Sequence, residues 1–125
     1  AVSGLMIGHE DVGDFVTVSG TSGGWEYIKY ASGLAMMWCN VTTKYSAASV
    51  LEKWVSYPFA LQAGVAAFGT LEGVGSNSGA ALGWNVKIVP QGDNKNARVF
   101  VHSPSGGFGG ADALTVAVLV LGRWK

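Results

Sequence analysis

Apolar residues along this chain fall into short runs of strand length, separated by breaks rich in Gly, Ser and Asn. Trp25 to Tyr30 and Leu34 to Val41 are two such runs, with Ala31-Ser32-Gly33 between them. Their aromatic and β-branched content is that of strands, and Gly33 supplies the positive φ that a tight reversal needs. The stretch therefore reads as a hairpin. Further strands are predicted over Phe15 to Val18, Ala63 to Phe68, Ala80 to Val89, Arg98 to Ser103 and Ala113 to Leu121, with breaks at Gly73 to Gly79, Gln91 to Asn96 and Ser103 to Gly110. Many short strands joined by turn chemistry predict an all-β sandwich or barrel. Ser46 to Val55 is ambiguous. Ser46 is placed to cap a short helix carrying Val50, Leu51, Trp54 and Val55 on one face. Trp54 to Tyr57 equally suits a strand, and Pro58 would end a helix there in any case; strand or irregular structure is preferred.

The last run departs from simple amphipathy. Leu114, Val116, Val118 and Val120 share one face; Ala113, Thr115, Ala117, Leu119 and Leu121 share the other. A strand with one wet face alternates apolar with polar, so both faces of this one need cover. A core covers one. A second sheet, loops of the same domain or a neighbouring protomer covers the other, and Ala113 and Ala117 would permit close approach there. The run is about half the ~20 residues of a membrane-spanning helix, so membrane insertion is not expected.

At 125 residues the chain makes one domain. Acids and bases balance at eight each, which argues against a nucleic-acid partner or an anionic membrane and protects weakly against self-association. Cys39 is the only cysteine, so no disulfide closes within the chain; it reads as a small buried hydrophobe. Ala1 to Gly13 lack the strand pattern and read as a connector into a domain spanning residues 14–125. No secretion signal is visible, and a start at Ala1 points to a processed product or an excised piece.

Candidate chemistry is sparse. His9-Glu10-Asp11 has no second cluster at metal-ligand spacing, so no metal or other cofactor is expected. Of the two histidines, His102 follows Val99-Phe100-Val101 and sits at a strand end; no Gly-x-Ser-x-Gly elbow accompanies either. Nothing in the spacing of Glu26, Glu52, Glu72, Asp93 and Asp112 pairs two carboxylates as a glycosidase requires. Gly106 to Gly110 lacks the Gly-Lys-Ser/Thr ending of a phosphate loop. An enzyme is not expected. Binding is better supported, because five Trp and four Tyr exceed what one core needs. Sugar rings stack on such platforms while polar side chains bond their hydroxyls. Trp54, Tyr57 and Trp84 are the candidate platforms, with Asp93, Asn94, Asn96 and His102 as polar partners. A Trp within a strand is more often core than platform, and Trp25, Trp38 and Trp124 are assigned to structure.

Gly20, Thr21, Ser22, Gly23, Trp25, Tyr27 and Lys29, followed by Ser32, Gly33, Ala35 and Trp38, resemble a motif of the C-terminal domains of phage tail-fibre and receptor-binding proteins from phages and prophages of Gram-positive bacteria. Tyr57-Pro58-Phe59-Ala60 and the closing Leu121-Gly122-Arg123-Trp124-Lys125 resemble the mid-domain segment and chain end of that family. Ile28, Tyr30 and Met36 stand where the family tends to carry Arg, Trp and Glu. The resemblance implies a homotrimeric fibre tip that attaches a virion to a bacterial surface carbohydrate. Together with the strand pattern it makes an antiparallel, jelly-roll-like β-sandwich the expected fold. Two rivals remain: a structural trimerisation cap without ligand recognition, and a tip enzyme that cleaves glycans.

Overall fold

A computed structural model describes residues 15–72 and 83–125. Eight strands follow one another with no helix among the described residues: β1 (Val16–Ser22), β2 (Trp25–Tyr30), β3 (Leu34–Ala47), β4 (Val50–Ser56), β5 (Ala63–Leu71), β6 (Asn85–Pro90), β7 (Asn96–His102) and β8 (Ala113–Arg123). Every pairing is antiparallel. The all-β antiparallel architecture is as expected. The metal-cluster candidate at His9 to Asp11, the connector before Asp14, the Gly73 to Gly79 break and the start of the strand expected at Ala80 lie outside the described residues.

The two layers are parts of one continuous sheet, and the long β3 joins them. One edge of β3 pairs with β8 along its length, from Leu34↔Arg123 to Lys44↔Ala113. Its other edge is shared: β2 takes Ala35 to Trp38, and β4 takes Lys44 to Ala47. One arm thus runs β1-β2-β3-β8-β5, while the other leaves β3 through β4 to β7 and β6. The sheet curls until β6 meets β5. There Gly69 makes room for Ile88, whose Cδ1 would stand 2.7 Å from a Cβ at that position and would have to shift.

Period-two alternation decides what the curl encloses. Ala35, Met37, Val41 and Thr43 of β3 turn inward with Val116, Val118 and Val120 of β8; Leu51 of β4 and Ala97, Val99 and Val101 of β7 meet them. Thr43 is polar and buried, and its hydroxyl is satisfied by donating to Leu114 O at 2.9 Å.

The reversals follow local chemistry. Gly23 and Gly24, both at positive φ, close a two-residue β1–β2 hairpin, so β1 runs on to Ser22 rather than ending at Val18. Gly33, at φ 106°, closes β2–β3 with its N–H donating to Tyr30 O. Ser46 to Val55 is no helix. It forms the end of β3, a turn at Ala48-Ser49 and the start of β4, because Leu51 and Val55 turn inward while Trp54 turns out, a strand's alternation.

The residues that carried the family resemblance interlock. Trp25 meets Tyr57 edge-on at 6.0 Å, and Tyr27 meets Phe59 at 5.2 Å. Lys29 Nζ lies 4.3 Å from the Phe59 ring centre and 5.2 Å from that of Trp124. Trp124 Nε1 donates to Tyr30 O, and Arg123 donates to Ser32 O. The opening motif, the Pro-Phe segment and the chain end are three sides of one latch.

Candidate functional site

The outer surfaces of the two arms differ. Across β2, β3, β8 and β5 run two apolar rows, Ile28–Met36–Leu121–Ala66 and, beginning at Trp38, Trp38–Leu119–Phe68; Asn40–Ala117–Thr70 follows. Phe68 is 57% exposed, while Trp38, Ala117 and Leu119 are half-buried around an open apolar recess. One face of β8 is therefore dry and the other only partly sheltered within a single chain.

On the other arm, β4 and β7 pair from Val50↔His102 to Ser56↔Asn96. Their outward positions are Glu52, Trp54 and Ser56 on β4, and Asn96, Arg98, Phe100 and His102 on β7. Trp54 is 54% exposed, and the Arg98 guanidinium lies 4.9 Å from its ring centre and 4.9 Å from that of Phe100. Arg98 Nε and Nη2 both reach Glu52 Oε2, at 2.7 and 2.6 Å. That geometry fixes the guanidinium plane against the indole and leaves Glu52 Oε1 as an acceptor. A rigid indole beside a clamped Arg–Glu pair can stack the apolar face of a sugar while bonding its hydroxyls. A shallow groove bordered by Tyr45, Trp54, Lys44, Lys53 and Glu52 adjoins it.

The expected site residues are not brought together. Trp54 and Asn96 occupy neighbouring outward rows of the β4–β7 face. In the β6–β7 turn, Asp93 accepts from Lys95 N, Asn96 N and Asn96 Nδ2, bonds that hold its carboxyl below the usual range. Asn96 Oδ1 also accepts from Ser56. Asn94, at φ 59°, donates to Gln62 O. These bonds tie Asp93, Asn94 and Asn96 into the turn.

Tyr57, expected as a platform, is instead a core residue at 8% exposure, held under Trp25 by an edge contact. Trp84, also expected there, packs on Phe108 at 5.4 Å in the separate β7–β8 loop region. His102 is exposed at the strand end, as its sequence position implied, opposite Val50 and Asn85. It is six residues from Asn96 along β7, or about 20 Å at strand rise. Arg98, Glu52, Tyr45 and the two lysines were missed, since only the β4–β7 register makes Arg98 the neighbour of Trp54.

No protein-family model matches the chain, and no curated protein matches it. Solved tail fibres do. The P. aeruginosa R1 pyocin fibre, as C-terminal residues 323–701, superposes with a TM-score of 0.54 at 15% identity, over 85% of this chain and 28% of that one. An N-truncated R1-type pyocin tail fibre gives 0.55 at 15% identity, over 85% of this chain and 84% of that one. The fold is one that tail fibres use. At this identity the likeness is of fold alone. P. aeruginosa is Gram-negative, so these neighbours lend no support to a Gram-positive host.

Proposed function

We propose that this chain is a tail-fibre domain of a phage or phage-like particle that attaches the particle, without chemistry, to a bacterial surface saccharide. It would be made in the bacterial cytoplasm, carried on the virion and used at the host surface. The observation that carries this reading is Trp54: a large indole half in solvent, stacked on an Arg that a carboxylate holds in place. A fold shared with pyocin fibres supports the setting. The partly sheltered apolar rows of the other arm favour assembly as a homotrimer, which multiplies weak contacts into avidity.

Trp54→Ala tests the adhesion. On a bacterial glycan array or whole cells, binding should fall at least about tenfold, while stability moves by less than about 0.5 kcal/mol, as for an outward-facing side chain. Undiminished binding by the variant removes Trp54 from the site; no binding by the parent protein to any glycan or host removes adhesion. The Asp93–Asn96–Ser56 network, bonded within its own turn, favours the rival reading, a trimerisation cap without recognition, and that second result would leave the cap standing.

A further inference from the structure

β3 changes neighbours and leaves a gap. β2 accompanies it as far as Trp38, and β4 joins it only at Lys44. From Cys39 to Thr43 its pairing is with β8 alone. Alternate residues of this stretch therefore turn backbone N–H and C=O groups toward the open side, where they need partners. The gap is a cleft of about 540 Å³, with Asn40, Thr42, Lys44, Lys53 and Ser56 among the residues around it and the Trp25 and Tyr57 rings lining it.

The chemistry of the cleft is one-sided. Two lysines line it and no carboxylate does. Neither Lys44 nor Lys53 makes an ion pair among the described residues; Glu52, which faces Lys44 across the strands, is paired with Arg98. The Tyr57 hydroxyl, in a ring more than nine-tenths buried, has no hydrogen-bond partner among the described residues. Two cations without an ion pair, beside backbone donors turned to an open strand edge, describe a place for an anion.

We propose that this cleft binds the acidic group, carboxylate or phosphate, of the saccharide that the domain adheres to. The inference rests on the adhesion reading and deepens it. Lys44 and Lys53 border both the cleft and the groove beside Trp54, so a ring stacked on the indole and an acidic substituent in the cleft belong to one continuous ligand surface.

Amide shifts of the ¹⁵N-labelled protein, titrated with glucuronic acid, glycerol phosphate and glucose, test it. One or both acids should saturably shift the amides of Cys39 to Thr43 and Lys53, at least about tenfold more tightly than glucose, with affinity falling as salt rises. Lys44→Gln with Lys53→Gln should weaken that binding about tenfold or more while the rest of the spectrum stays in place. Equal binding of glucose and the acids at these amides, or acid binding unchanged by the double substitution, overturns the proposal. Neutral saccharide bound at Trp54 with no acid at the cleft overturns it and leaves adhesion standing; no saccharide bound at either place overturns both.

Discussion

Tyr57 lies against Trp25 with its hydroxyl unpartnered, and burial, helped by nearby Asp93, pushes its pKa up to about 12 from 10.0. Burial does the same to the Cys39 thiol, raised from 9.0 to about 11. A buried hydroxyl without a partner forfeits its bonds to water, so Tyr57→Phe should leave stability unchanged or raise it by up to about 1 kcal/mol in urea unfolding. Both groups stay neutral longer in the folded chain than in the unfolded one. The unfolded chain therefore releases these protons first as pH rises. Their contribution is intact below about pH 9 and is lost between there and about pH 12, so urea midpoints should fall across that window. Tyr57→Phe should flatten the upper part of the fall, and an unchanged slope would remove Tyr57 as its source. The same pKa makes Cys39 a slow nucleophile near neutral pH, fitting its half-buried place beside the core.

Among the elements, β8 is where folding and the proposed assembly can be told apart. Val118 is 2% exposed on the inner face, and Leu119 is half-buried on the outer one. Val118→Asp should cost more than about 3 kcal/mol, by placing a charge in the core. Leu119→Asp should leave the circular dichroism of the domain intact and abolish self-association. If Leu119→Asp unfolds the chain as Val118→Asp does, the outer face is core rather than interface. Both faces of β8 were legible in sequence because alternation is local, and β2 matched its predicted bounds for the same reason. Ser46 to Val55 was not decided, because a short apolar segment fits either period until β3 and β7 claim its edges. The β1–β2 hairpin was missed although Gly23-Gly24 is a known two-residue turn, because the polar Ser19 to Ser22 stretch carries no apolar alternation to extend the strand beyond Val18. Trp54 was legible as a platform, but its partners were not. They depend on pairing across 46 residues of chain, from Glu52 to Arg98, which no local pattern records.

For the whole molecule, the sequence motifs that resembled tail-fibre proteins turn out to be a structural latch. Trp25, Tyr27, Lys29, Phe59 and Trp124 hold β2, the segment after β4 and the chain end together. The surfaces left open lie elsewhere, one apolar across β2-β3-β8-β5 and one aromatic and charged across β4-β7. Assigning the first to sister copies explains why Trp38, Leu119 and Phe68 stand in an open row on a chain with little charge to keep copies apart. It leaves the second free to meet a host surface. Sedimentation equilibrium across micromolar concentrations tests this division most directly. A particle near three times the 12.9 kDa chain, reduced to a single chain by Leu119→Asp, is the expected result. A folded single chain at every concentration contradicts it.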